Sequence, residues 1–154
     1  MTVTIRRAEP RDAAVVAEYN RRLALETEAK VLDPAVLARG VARILADSTR
    51  GLYYVAEANG EVVGQVMLTY EWSDWRDGWL WWFQSVYVRE DARRLGVFRQ
   101  LFDTVVRAAR DAGDVVGLRL YVEKDNLRAQ RTYQKMGMSD GGYLFYHLPF
   151  IDLK

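Results

Sequence analysis

Residues 85–101 read S-V-Y-V-R-E-D-A-R-R-L-G-V-F-R-Q-L, and this stretch changes its periodicity halfway along. Upstream of it, and into Val86, Tyr87 and Val88, apolar residues run in the manner of a strand. After the charged segment 89–94 and Gly96, the apolar positions Val97, Phe98, Leu101, Phe102, Val105 and Val106 fall at helical spacing. A strand therefore enters a basic, glycine-containing turn that opens a helix. The first amides of a helix lack intrahelical acceptors and carry the positive end of its dipole, so an anion is a natural occupant. Arg93 and Arg94 precede Gly96 and add charge-assisted donors. Solvated strand-to-helix turns also carry arginines and a glycine, so the turn by itself leaves both readings open.

Outward from this stretch, a chain of 154 residues is expected to form one domain over 1–154 with a core that needs no metal or disulfide. The 22 basic and 21 acidic residues nearly cancel, and no global field favours nucleic acid or an anionic membrane. The absence of cysteine excludes disulfides, thiolate metal sites and a cysteine nucleophile. The single histidine, His147, cannot supply a histidine metal cluster, and its place in an apolar terminal segment is that of a packing residue. No bound metal is expected. No apolar run is long enough to span a bilayer and the first residues lack a secretory core, so a cytoplasmic protein without a membrane partner is expected.

Alternation at Val3 and Ile5 gives a first strand. Asp12 is the expected cap of a helix carrying Val15, Val16, Tyr19 and Leu23, which ends in the acidic run Glu26-Thr27-Glu28. Asp33-Pro34 opens a second helix. A meander follows: 52–58 and 62–72 flank Asn59-Gly60, a strong hairpin signal, and 79–88 returns after a polar loop. All five tryptophans lie between Trp72 and Trp82, at least half of them expected in the core, with Trp81 and Trp82 necessarily on opposite faces. The helix after Gly96 runs to about Ala112. A strand over 116–123, joined by a right-handed crossover, a helix over 127–135 capped by Asp125 or Asn126, and a last strand over 143–148 complete the chain.

That element order resembles the GNAT superfamily of acyl-CoA-dependent N-acetyltransferases. Arg93-Arg94-Leu95-Gly96-Val97 is similar to the family's pyrophosphate signature, although Phe98 stands where the signature has a small residue. Downstream, Val122-Glu123, Asn126, Ala129, Tyr133, Gly137 and Met138 resemble a second family motif at each spacing. The resemblance implies an α/β (α+β) fold: a mixed, mostly antiparallel central sheet of six to seven strands, with about four helices on its two faces.

It also implies acetyl-CoA as cosubstrate and direct attack by an amine of a small molecule or peptide in a ternary complex. Backbone groups around Val86, Tyr87 and Val88 would hold pantetheine and the acyl carbonyl. The amides of Leu95, Gly96, Val97 and Phe98, with Arg93 and Arg94, would hold the pyrophosphate, and Asn126 would lie near pantetheine. Tyr133 matches the usual general acid: a phenol of pKa ~10 is protonated when a thiol of pKa ~8.5 departs. Glu26, Glu28 and Glu71 are candidates for the base, as is ordered water, with Glu26 and Glu28 preferred. Tyr70, Glu71, Trp72 and Trp75 are candidate acceptor-site walls. A non-catalytic acyl-CoA-binding regulatory domain is the alternative reading. A nucleoside triphosphate is disfavoured, because no Lys-Ser or Lys-Thr follows the glycine turn. Edge strands such as 143–148 can pair between subunits, so a homodimer is also an expectation.

Overall fold

A computed structural model describes residues 2–153. The chain divides into two compact units, Met1–Leu120 and Tyr121–Lys154.

The first unit holds one sheet with strand order β1-β2-β3-β4-β5. Its strands are β1 (Thr4–Arg7), β2 (Leu52–Ala58), β3 (Glu61–Ser73), β4 (Gly78–Val88) and β5 (Val115–Leu120). Neighbours from β1 to β4 are antiparallel, and β5 joins β4 in parallel, as the crossover through a helix requires. Asn59 and Gly60 both have positive φ, 52° and 77°, the geometry of the tightest hairpin turn.

Helices α1 (Ala13–Glu28) and α2 (Pro34–Ala46) pack on one sheet face, where Val16 and Val41 meet Tyr53 and Val55. Helix α3 (Val97–Ala112) covers the other, with Phe102 stacked on Phe83 of β4 at 5.4 Å. Gly64 makes this close seat: a Cβ there would lie 3.0 Å from Val97 and 3.3 Å from the Tyr87 carbonyl. The expected cap at Asp33 is present, accepting from the amides of Ala35 and Val36. Asp12 does not cap α1. Its buried carboxylate instead takes the Arg6 guanidinium, at 2.9 and 3.0 Å, and the Glu9 amide.

Three expectations are corrected. The sheet has five strands rather than six to seven. The strand expected over 116–123 is the shorter β5, and residues 143–148 form no strand, their side chains exposed instead. None of the five tryptophans joins the buried core: Trp72 and Trp75 are exposed, and Trp79, Trp81 and Trp82 are half-buried.

The second unit contains α4 (Leu127–Lys135), with the bounds read from the sequence. Asn126 caps it by accepting from the Ala129 amide at 3.1 Å. Gly137, at φ 93°, turns the chain out of the helix.

Candidate active site

Strand β4 is regular until Gln84 and then is not. Gln65 pairs with Tyr87 and Met67 with Gln84, so Ser85 and Val86 together face only Val66, which makes β4 the bulged strand. Ser85 takes a positive φ of 48° to achieve this. The bulge is held from below by a buried polar chain. Gln65 Nε2 donates to the Ser85 carbonyl and to Asn20 of α1, each at 3.1 Å, and Asn20 donates to the Tyr53 hydroxyl at 2.9 Å. A glutamine inside the apolar run 62–68 was the sequence signal for this network, since a polar side chain there must find partners.

The ladder between β4 and β5 ends at Phe83 and Leu120. Within the first unit, residues 84–88 pair only with β3, so the other edge of the Val86, Tyr87 and Val88 backbone has no partner from that unit.

After a short 3-10 turn, Glu90–Ala92, the chain reverses through residues 93–96. Arg94 and Gly96 are both left-handed, at φ 66° and 78°, and no side chain caps α3. The amides at the start of α3 are thus presented without a capping acceptor, in a turn whose alternating conformation favours an anion. Phe98 turns its ring towards Phe102, 6.1 Å away on its own helix, rather than over the turn. The two arginines differ. Arg93 is engaged: it donates to the Val88 carbonyl at 2.8 Å, to Glu26 at 2.7 Å, and lies over the Tyr87 ring. Arg94 is exposed and, among the described residues, forms no ion pair.

Glu26, in the last turn of α1, meets both Arg93 and the Tyr87 hydroxyl. Burial alone would push its carboxyl up, but the hydrogen bonds from Arg93 and Tyr87 outweigh that and hold it below the ordinary glutamate value. Burial, reinforced by the bond to Glu26, pushes the Tyr87 phenol up. Glu26 and Tyr87, with Arg22, Arg89, Glu90 and Asp91, line an open cleft of ≈ 520 Å³ beside the end of β4. The sequence reading did not single out Arg22, Arg89 or Asp91. Glu28 ends α1 and is exposed, with Lys30 at 3.9 Å.

The expected acceptor walls divide between the sheet faces. Glu71 follows Gln65 in alternation, on the α1 side, and takes the Trp82 indole at 2.8 Å and Arg119 at 3.2 Å. Tyr70 and Trp72 point the other way, contacting Trp79 and Trp81 and Trp79 respectively. Trp75 lies in the β3–β4 turn, 87% exposed. In the second unit, burial pushes the Tyr133 phenol above the ordinary tyrosine value. No group of residues able to hold a metal ion occurs among those described, and no described helix is long and apolar enough to cross a membrane.

A bulged strand with an edge unpaired within its unit, running into an uncapped basic turn, is the kind of scaffold that can receive a pantetheine arm and its diphosphate, and the residues present fit acetyl-CoA. The family comparison names the class directly: residues 14–138 match the Acetyltransferase (GNAT) family, and the chain belongs to it. Acyl transfer is therefore its general chemistry.

Among solved structures, a "possible acetyltransferase" from Clostridium difficile 630 is 42% identical, covers 99% of this chain and 100% of its own, and superposes with a TM-score of 0.92. A predicted acetyltransferase from Clostridium acetobutylicum, solved with acetyl-CoA, shares the fold at 17% identity, with 95% of this chain and 96% of its own covered and a TM-score of 0.76. A ribosomal-protein-alanine N-acetyltransferase from Brucella melitensis biovar Abortus 2308 shares it at 18% identity, with 97% and 99% covered and a TM-score of 0.78. No protein of curated function matches the chain.

Proposed function

We propose that this chain transfers the acetyl group of acetyl-CoA to the amine of a small molecule or peptide, by direct attack in a ternary complex. The observation that carries the reading is the bulge of β4 followed by the uncapped turn at 93–98, within a chain of the GNAT family. The backbone at Val86, Tyr87 and Val88 receives the pantetheine amides and polarises the acyl carbonyl. The amides of Leu95, Gly96, Val97 and Phe98 take the pyrophosphate, with Arg94 as the cation and Arg93 bracing the turn against β4. Asn126 lies near pantetheine while also capping α4.

Acetyl-CoA supplies the activated thioester; the protein supplies position and protons. Glu26, held ionised, attracts the acceptor's ammonium, and Glu28, which no arginine engages, takes the proton that frees the amine. Glu71 shares the α1 face of the sheet and forms an acceptor wall with Trp82. Tyr70, Trp72 and Trp75 suit a planar or apolar part of the acceptor. Tyr133, protonated at neutral pH, donates to the departing sulfur.

Calorimetric titration with acetyl-CoA, joined to a thiol-release assay over polyamines, aminoglycosides, amino acids and peptide N-termini, tests this. Binding together with release that depends on one acceptor class supports transfer. Binding without any acceptor-dependent release assigns the chain a non-catalytic acyl-CoA-binding role, and absence of binding removes the coenzyme site.

A further inference from the structure

Strand β4 changes the face on which its side chains lie. Up to Gln84 the even-numbered residues point to the α1 side: Trp82 donates to Glu71 and Gln84 to Thr69, both of which follow Gln65 in alternation along β3. Phe83 points the other way and stacks on Phe102 of α3. Beyond the bulge the order is reversed. Tyr87, odd-numbered like Phe83, lies on the α1 side, with its ring 5.1 Å from that of Tyr19 and its hydroxyl on Glu26. One extra residue in the strand has this effect because side chains alternate with a period of two. Without the bulge Tyr87 would face α3, and its bond to Glu26 could not form.

Ser85 carries the strain of that reversal, at a φ of 48° that residues other than glycine adopt at a cost. Gln65 holds it there, donating to the Ser85 carbonyl at 3.1 Å. Packing alone does not account for a glutamine at this place. The residue is fully buried, and among the described residues its Oε1 accepts no hydrogen bond, so one acceptor is desolvated without compensation. A methionine of similar volume would fill the same space with no such penalty. The amide nitrogen, in contrast, is used twice: on the Ser85 carbonyl and on Asn20, which lies on α1 less than two turns before Glu26. One side chain thus ties the bulge to the helix that carries Glu26.

We propose that Gln65 is a positioning residue of the acetyl-transfer site: by holding the Ser85 carbonyl it fixes the bulge, and the bulge sets Tyr87 against Glu26 and fixes the course of the 86–88 backbone. Gln65 touches neither coenzyme nor acceptor in this role and acts through Ser85. The effect on the coenzyme rests on the acetyl-CoA reading given above, whereas the placement of Tyr87 is a property of the unliganded protein and stands apart from it.

The full-length variant Gln65→Met keeps the volume and removes the donor. Two quantities are read on it: nuclear Overhauser contacts between the Tyr19 and Tyr87 rings without ligand, and the Kd for acetyl-CoA by calorimetry. The ring contacts are expected to be lost, and the Kd to rise by about ten-fold, as the loss of a buried hydrogen bond that opposes backbone strain implies. Adding Ser85→Gly replaces no packing but removes the strain, since glycine takes this φ freely; it is expected to restore the ring contacts and return the Kd to within about three-fold of wild type. Wild-type ring contacts in Gln65→Met overturn the proposal. A Kd defect that Ser85→Gly leaves in place also overturns it, as does a Gln65→Met chain that is unfolded by circular dichroism and that Ser85→Gly does not refold, since either assigns the glutamine to core stability. If the unmodified protein binds no acetyl-CoA, the coenzyme reading fails on its own, and the ring contacts still decide whether Gln65 sets the bulge.

Discussion

Glu26 and Arg93 stand 67 residues apart in sequence and 2.7 Å apart in space, joining the acidic end of α1 to the start of the turn that opens α3. The pair lies between two proposed tasks, holding an acceptor amine and holding a diphosphate. Arg93 also fastens to the Val88 carbonyl, so one side chain ties α1, β4 and the turn together.

The sign of its effect on Glu26 can be tested. Burial raises that carboxyl's pKa, and the Arg93 bond is the largest influence lowering it. Arg93→Met therefore leaves the burial effect less opposed, and the Glu26 pKa rises. Carboxyl NMR titration should follow the rise directly. In the acetyl-transfer reading, the acid limb of kcat/KM for the amine moves to higher pH. An unmoved limb would show that Glu26 does not hold the acceptor.

Among the described residues Arg94 forms no ion pair whereas Arg93 is engaged, and the two should separate in binding. Loss of one charge-assisted contact to a phosphate, worth about 1.5–3 kcal/mol, predicts that Arg94→Ala weakens acetyl-CoA by roughly ten-fold or more at low salt. The loss should shrink as salt rises, since an exposed charge is screened. A salt-insensitive affinity equal to wild type would place the diphosphate elsewhere.

Phe98 occupies a position where the family signature is small, but its ring turns towards Phe102. Phe98→Ala is thus expected to lower stability, by about 1 kcal/mol for the aromatic contact and more for lost burial, read as a lower Tm. Its Kd for acetyl-CoA should change by less than about three-fold. A strong gain in affinity would mean that the ring obstructs the turn after all.

Asp12 and Arg6 give a stability prediction with a defined pH window. The Arg6 guanidinium holds the Asp12 carboxyl below its ordinary value despite burial. A carboxylate depressed in the folded state contributes fully above its unfolded pKa, near 3.9, and loses that contribution as pH falls through the folded value. Asp12→Asn should therefore destabilise at pH 7 by about 1.5–3 kcal/mol, Arg6 keeping Glu57 as its other carboxylate partner, and the gap to wild type should close as pH falls below about 4. A pH-independent gap in urea unfolding would assign the cost to packing instead.

Much of the frame was legible because it rests on local chemistry. Asn59-Gly60 fixed the hairpin, Asp33-Pro34 and Asn126 marked helix starts, and Gly96 with the spacing after it marked α3. Asp12 misled because a capping residue and an ion-pair partner look alike in sequence; only the return of β1 brings Arg6 to it. The tryptophans misled because aromatic character predicts burial without saying where along the sheet the core lies. The Glu26–Arg93–Tyr87 cluster was invisible for a related reason: each residue was singled out, for separate tasks, and no periodicity could announce that they touch. The bulge at Ser85 left one trace, the glutamine at 65 among apolar neighbours.

Tyr133 offers the most direct test of the chemistry. Its phenol is pushed up by burial, so it stays protonated across neutral and mildly alkaline pH. An acid must be protonated to act, and its contribution is lost only as pH rises through that elevated value, above the ~10 of a free tyrosine. Wild-type kcat should accordingly hold steady through pH 9. Tyr133→Phe keeps the ring and removes the proton, and should lower kcat by about ten-fold or more, within the ~10²–10⁴ range of positioned proton transfer, while calorimetry gives an unchanged acetyl-CoA affinity. A leaving thiol of pKa ~8.5 needs such help less as pH rises, so the deficit should narrow at alkaline pH. If the variant turns over like wild type at pH 7, the proton reaches sulfur by another route and the tyrosine is a packing residue of α4.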